Sequence, residues 1–242
     1  NKALGADDQI PEVLLTDVVK ALEKAKNDDR IGAVFLDLSG LYPSGINKLQ
    51  RVAAAINDFK TTNKPVITAA DYYAQHQYYL AAHADTVYLN PLGSVAFDGF
   101  EYGQIYFKGL LEKLKLKPHV FKVGEYKSAV EPFIRDNMSD EAREANAFLY
   151  NDLWQQFKRD VTHQRDLGDA FVKGELAPYM EAFEQADADM AQMALQANLV
   201  DALKTRAEVR NELINLAGYD EDKETYRHVA FASYLTERNG EE

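Results

Sequence analysis

Short apolar runs alternate with amphipathic segments through the first two-thirds of the chain. Three runs are almost continuously apolar, as expected of strands that are buried on both faces of a sheet: Ile31–Leu38, Pro65–Ala70 and Thr86–Leu89. In the segments between them, apolar residues recur every three or four positions, which is typical of helices that cover a sheet. Strand, helix and strand in repeated succession predict a parallel sheet of right-handed βαβ units.

Three helices are predicted in the first hundred residues. The first covers Asp17–Lys26, and Thr16 is placed to cap its amino terminus. The second follows Pro43-Ser44 and carries an apolar stripe that ends at Phe59. The third covers Ala74–His83. Together with the three strands, these helices predict an α/β fold.

The middle and the end of the chain predict further helices around the sheet. His119–Val123 is a fourth strand candidate, and it follows an amphipathic segment near Leu110. A long helix follows Ser139, which we expect to be its cap, and an apolar stripe along it reaches Val161. The last third is helical and acidic and contains no Gly/Ser/Pro-rich linker. We therefore expect one α/β domain over residues 1–242, with helical additions.

Composition and motifs exclude several classes of function. The net charge of −12 argues against nucleic-acid binding, which needs a basic surface. The chain has no cysteine, and its five histidines show no metal-ligand spacing. Glycine-rich phosphate-binding motifs and the Gly-x-Ser-x-Gly elbow of serine hydrolases are also absent from the sequence. We expect no cofactor and no metal, and no run of about 18 apolar residues that would span a bilayer occurs.

One stretch departs from the acidic character of the chain. Between Lys108 and Ser128 there are six lysines and two acidic residues. Five of these lysines fit a solvated helix face and strand edge. Lys127 differs, because apolar residues lie close to it along the segment Val123–Phe133. Desolvation favours the neutral form of a lysine, which is the form that acts as a general base.

Four segments resemble one known family. The segment Val123-Gly-Glu-Tyr-Lys-Ser-Ala-Val-Glu-Pro-Phe133 resembles the Gly-x-Tyr-Lys motif of the signal peptide peptidase A family, also called protease IV. Residues 28–40, Tyr78–Asp85 and Ala194–Asp201 are similar to other parts of the same family. In the last of these, Asn198 replaces a usual glycine, and Asn tolerates the left-handed conformation of a helix end. The resemblance runs from about Asp17 to the end of the sequence.

The resemblance is to the amino-terminal half of the long, tandem-domain form of the family. It implies a Clp protease/crotonase-like fold and a Ser-Lys dyad in which Lys127 is the general base. Single-domain relatives have the nucleophile in a Ser-Gly-Gly triplet, but Gln75-His76-Gln77 stands in that position here. In the tandem form a carboxy-terminal domain supplies the serine. The resemblance therefore implies that this chain alone is inactive, and that Ser39-Gly40 is a strand-end turn rather than part of an oxyanion hole.

A general base of this kind sets expectations for the surroundings of Lys127. It should lie at a concave edge where another domain docks. Apolar neighbours are expected among three residues: Val123, Tyr126 and Phe133. An ion pair with Glu125 or Glu131 is not expected, because it would hold the lysine in its charged form.

The resemblance also implies substrates, partners and a location. The substrates would be cleaved signal peptides, and the protein would be a homo-oligomer on the periplasmic side of the inner membrane, held by an anchor outside this sequence. Two other interpretations stay open. One is a catalytically inactive interaction or oligomerisation module of the same fold. The other is a crotonase-like acyl-CoA enzyme, although the chain shows no clear pair of oxyanion donors or acid/base carboxylates.

Overall fold

A computed structural model describes residues 12–121, 123–124, 127–167, 171 and 176–239. The chain divides into two compact units. The first unit comprises Asn1–Phe97 and Val161–Glu242, and the second comprises Asp98–Asp160. The expectation of a single domain over residues 1–242 stays a prediction.

A four-stranded parallel sheet forms the centre of the first unit. Its strands are β1 (Val34–Leu36), β2 (Val66–Tyr73), β3 (Thr86–Val95) and β4 (Ala202–Leu203). They lie in the order β1-β2-β3-β4, and each neighbouring pair is parallel. The three predicted strands are therefore adjacent and parallel, which confirms the α/β fold. A separate antiparallel pair is formed by β5 (Tyr219–Asp220) and β6 (Thr225–Tyr226).

Helices account for most of the remaining described residues. In chain order they are α1 (Leu15–Lys26), α2 (Ile46–Lys60), α3 (Gln75–Ala81), α4 (Lys108–Lys113), α5 (Glu131–Ile134), α6 (Asp140–Gln164), α7 (Leu176–Gln185), α8 (Met190–Gln196), α9 (Arg206–Ala217) and α10 (Phe231–Asn239). One turn of 3-10 helix covers Ser128–Val130 and leads directly into α5. Within the described residues, no helix is both long and apolar enough to cross a membrane.

The core of the first unit follows from the apolar spacing in the sequence. Ile56 and Phe59, three residues apart on α2, are fully buried, as are Val66 and Leu89 on the sheet. Tyrosine side chains fill much of the remaining core, and their hydroxyl groups bond to backbone carbonyls. The Oη of Tyr78, for example, donates to the carbonyl of Leu199 at 2.7 Å, and burial raises the pKa of this tyrosine.

The sequence placed some element ends incorrectly. Helix α1 begins at Leu15, so Thr16 lies inside the helix instead of capping it. Residues 119–121 and 123 form no strand in the part of the chain that the structure describes, so the fourth strand candidate is wrong there. A strand needs a hydrogen-bonded neighbour. The side chains of Phe121 and Val123 are instead 97% and 83% exposed.

The second unit buries its apolar residues less completely than the sequence indicates. Helix α4 has no buried residue. On α6, the predicted stripe is buried at Ala142 and Phe157, but Leu149 between them is half exposed and the adjacent Phe148 is 80% exposed. The prediction for the start of α6 is confirmed, because the backbone N–H of Ala142 donates to the Oγ of Ser139 at 3.2 Å.

Candidate functional site

Lys127 stands at the start of a short helical segment in the second unit. It is the residue immediately before the 3-10 turn, and its φ and ψ angles are −85° and 83°. Its side chain is exposed. Gly124, three residues earlier, has a φ of +103°, and a Cβ added there would lie 4.0 Å from the Cγ of Lys127. The positive φ favours glycine here, whereas the distance to Lys127 would be an ordinary contact for a Cβ.

The apolar surroundings expected for Lys127 are only partly in place. Phe133 is 46% exposed, and Val123 is more exposed still. Tyr126 and Glu125 lie outside the described residues. The described apolar residues near Lys127 in sequence are thus themselves open to solvent, and the expectation that apolar neighbours desolvate Lys127 stays a prediction. The concave edge stays a prediction.

No acidic side chain among the described residues forms an ion pair with Lys127. Glu131, one of the two acids considered from the sequence, is directed elsewhere. Its Oε2 accepts the backbone N–H of Ser139 at 3.1 Å, and its Oε1 accepts the hydroxyl of the same serine. Glu131 is only 2% exposed. The pair of Glu131 and Ser139 was not predicted from the sequence. The one indication that Glu131 is buried was its position between the apolar residues Val130 and Pro132.

Two further contacts hold the segment that follows Lys127. The carbonyl of Pro132 accepts the backbone N–H of Phe107 at 2.6 Å. The rings of Phe107 and Phe133 stack, with 6.2 Å between their centroids. The segment that carries the lysine is therefore attached both to the start of α4 and to the start of α6.

The triplet Gln75-His76-Gln77, which the resemblance aligns with the nucleophile of other members, lies at the amino terminus of α3, and two of its side chains form structural bonds. The Oε1 of Gln77 accepts the backbone N–H of Ala74 at 2.9 Å. The Nε2 of His76 lies 2.8 Å from the carbonyl oxygen of Leu41, so the imidazole donates to the loop that follows β1. Neither side chain offers a hydroxyl for attack on a carbonyl group. Helix α3 thus begins with an amide cap from Gln77.

Ser39 is likewise held in a local structure. Its backbone N–H and its Oγ both bond to the Oδ1 of Asp37, at 3.0 and 2.6 Å, and Ser39-Gly40 forms a turn after β1. This confirms the predicted strand-end turn. Within the described residues, no group of three or more acidic or histidine side chains is placed to hold a metal ion.

The segment Ala194–Asp201 has a structural function in the first unit. Asn198 has a φ of +58°, which confirms the left-handed conformation predicted for it. The side chain of Asp201 pairs with Arg165 at 2.8 Å and accepts the backbone N–H of Val87 at 2.6 Å. These contacts connect the end of α8 to β3. In the segment at Lys127, which also resembles the family, the lysine side chain is by contrast exposed.

A parallel four-stranded sheet with interleaved helices defines the class, an α/β protein with a Clp protease-like fold. The sequence profile described as "Peptidase family S49" matches residues 58–220. This match covers more than half of the chain. The chain belongs to peptidase family S49.

Curated relatives point to the same family. The chain is 36% identical to Protease 4 of Salmonella typhi over 229 residues, and 35% identical to Protease 4 of Haemophilus influenzae over 231 residues. Each alignment covers 95% of this chain and 37% of the relative. It is also 25% identical over 139 residues to the chloroplastic serine protease SPPA of Arabidopsis thaliana, covering 57% of this chain and 20% of the relative. The chain thus spans about 37% of the length of the two Protease 4 relatives.

Proposed function

We propose that this chain is the lysine-bearing part of a serine endopeptidase that degrades released signal peptides. Lys127 is the general base of a Ser-Lys dyad, and a second domain outside this sequence supplies the serine. The observation that carries the proposal is the exposed amine of Lys127 within a Gly-x-Tyr-Lys match, with no acid among the described residues paired to it. Membership of family S49 and the partial coverage of the Protease 4 relatives support it.

The chemistry follows from the properties of a neutral amine. The Nζ of Lys127 takes the proton of the serine hydroxyl as the serine oxygen attacks the carbonyl carbon of the substrate peptide bond. The resulting ammonium group then gives a proton to the departing amine of the cleaved peptide. In the second half of the reaction the amine activates a water molecule, which hydrolyses the acyl ester and frees the serine.

The exposure of Lys127 in this chain is consistent with a site that another domain completes. An ammonium group in water is well solvated and is a poor base. A docking domain that covers Lys127 together with Val123 and Phe133 removes that water and disfavours the charged form. The burial of the exposed apolar side chains provides a driving force for the docking.

The wider proposal concerns location and assembly. The complete protein is a homo-oligomer that is anchored in the inner membrane and faces the periplasm, and the anchor lies outside this sequence. This part is supported by the family resemblance. The apolar exposure of the second unit, including Phe148, favours a second candidate function, that of an inactive interaction module.

Labelling with a fluorophosphonate probe distinguishes a split site, in which the lysine and the serine lie on different domains, from a complete site within this chain. We expect no labelling of this chain and no turnover of a peptide ester, because α3 begins with Gln75-His76-Gln77. The protein that joins this chain to the serine-bearing domain should be labelled at one serine outside residues 1–242. Stoichiometric labelling of Ser39, Ser128 or any other serine of this chain would contradict the split site.

A further inference from the structure

We propose that Glu131 and Ser139 are positioning residues for Lys127. This inference rests on the proposed role of Lys127 as general base. The carboxyl group of Glu131 accepts both the backbone N–H and the hydroxyl of Ser139, two groups at the start of α6. The pair is eight residues apart in sequence and both members are buried. It anchors the short helical segment that carries the lysine to the longest described helix of the chain.

Lys127 and Glu131 are linked through one continuous helical turn. The backbone N–H of Glu131 donates to the carbonyl of Ser128, which directly follows Lys127. The carbonyl of Glu131 in turn accepts the N–H of Arg135 at 2.9 Å. A shift of Glu131 therefore moves the backbone from which the lysine projects.

The start of α6 is a firm point of attachment. The Oγ of Ser139 accepts the N–H of Ala142, and its carbonyl accepts the N–H of Arg143 at 2.9 Å, so the serine is fixed by the first turn of the helix. The amino terminus of a helix carries a partial positive charge, which favours a carboxyl group at this place.

The anchor can be removed without releasing the whole segment. The bond from Phe107 to Pro132 and the stacking of Phe107 on Phe133 do not involve Glu131. Loss of the Glu131 side chain should loosen the lysine-bearing turn while α5 stays attached to the start of α4. Because a misplacement of about 1 Å can cost a factor of about 100 in rate, the loosening should appear in catalysis.

The test compares variants of the complete protein in a peptide-ester assay. Glu131→Ala should lower kcat by about 10–100-fold and change KM by less than about threefold, because this side chain is buried against Ser139 and is not accessible to a bound peptide. Glu131→Gln should restore kcat to within about threefold of the original value. The Oε1 of glutamine accepts the Ser139 N–H, and its amide nitrogen donates to the Ser139 hydroxyl.

Asp189→Ala is the matched control for a loss of stability. Asp189 caps α8 in the first unit, where its Oδ1 accepts the N–H groups of Ala191 and Gln192 at 2.9 and 3.0 Å. Its removal should lower the melting temperature while kcat stays unchanged. An equal loss of kcat in Asp189→Ala and Glu131→Ala would show that the loss comes from lowered stability alone, and it would overturn the proposal. So would a Glu131→Gln variant as poor as Glu131→Ala.

Two further measurements separate this proposal from the proposed function. If Lys127→Ala keeps its activity in the same assay, the proposed function fails. Hydrogen exchange of the amides of residues 129–135 then still tests the anchor, since Glu131→Ala should speed their exchange and Asp189→Ala should not. Unchanged exchange in Glu131→Ala overturns the anchor, whichever residue is the base.

Discussion

The two compact units of the chain differ in how completely they bury their large apolar side chains. In the first unit, Phe59 and Tyr78 are fully buried around the sheet. In the second unit, Phe121 and Phe148 are almost entirely exposed. The first unit therefore has a packed core around its sheet, whereas the second presents apolar surface of the kind that marks an interaction site. The proposed base, Lys127, belongs to the second.

Two family-like segments show the same contrast at the level of single residues. Around Asn198, the polar groups bond to the fold, as the pairing of Asp201 with Arg165 illustrates. Around Lys127, the polar group that anchors the segment is Glu131, and the amine itself remains open. A motif whose polar side chains bond to the fold stabilises it, while a motif that leaves an amine at the surface is a candidate for chemistry.

The largest expected effect on stability tests the contrast in burial. Phe59→Ala should lower the free energy of unfolding by about 3–5 kcal/mol, because it leaves a cavity in the core of the first unit. Phe148→Ala, the matched change in the second unit, should change it by less than about 0.5 kcal/mol. Urea denaturation monitored by circular dichroism measures both. A cost for Phe148→Ala similar to that for Phe59→Ala would remove the distinction between the units.

A smaller effect, dependent on pH, is expected where α10 meets the rest of the first unit. The guanidinium of Arg30, bonded to the buried Asp28 at 2.9 Å, holds the pKa of this carboxyl group well below its ordinary value, and the hydroxyl of Tyr234 on α10 also donates to it. A group with a lowered pKa stabilises the fold above its unfolded pKa of about 3.9, and this contribution is lost as the pH falls. Asp28→Asn should therefore cost about 1.5–3 kcal/mol at neutral pH.

The difference between the original protein and Asp28→Asn should shrink as the pH falls below about 4. Thermal unfolding of both proteins between pH 7 and pH 3 measures it. Asp136→Asn is the control in the second unit, where the pair with Lys108 at 3.2 Å is exposed and should contribute less than about 1 kcal/mol. A constant difference for Asp28→Asn across this range would show that ionisation is not the cause.

The sequence predicted those features that depend on local periodicity. The runs at Ile31–Leu38, Pro65–Ala70 and Thr86–Leu89 contain β1, β2 and the start of β3, and the apolar spacing of α2 identifies its buried face. Where a feature depends on contacts between distant parts of the chain, the prediction was wrong or was not made. The run His119–Val123 has strand-like composition, but the described part of it forms no strand.

The candidate site shows the same limit. The motif identified Lys127, but the exposure of the lysine side chain depends on which surfaces cover it. A local sequence pattern does not predict those surfaces. The bond between Glu131 and Ser139 joins residues eight positions apart across a bend of the chain. Neither the hydrophobic pattern nor the charge of Glu131 distinguishes this arrangement from an ion pair with Lys127.

We propose that Lys127 acts as a base for a serine outside this chain. The most direct test of this proposal is the kcat of Lys127→Ala in the complete protein, measured on a peptide ester beside Lys117→Ala, which removes an exposed lysine from the same lysine-rich stretch. Loss of the base should lower kcat by a factor of about 10²–10⁴, with melting temperatures unchanged and Lys117→Ala fully active. Near-normal turnover in Lys127→Ala would contradict the account and leave the interaction module as the better interpretation.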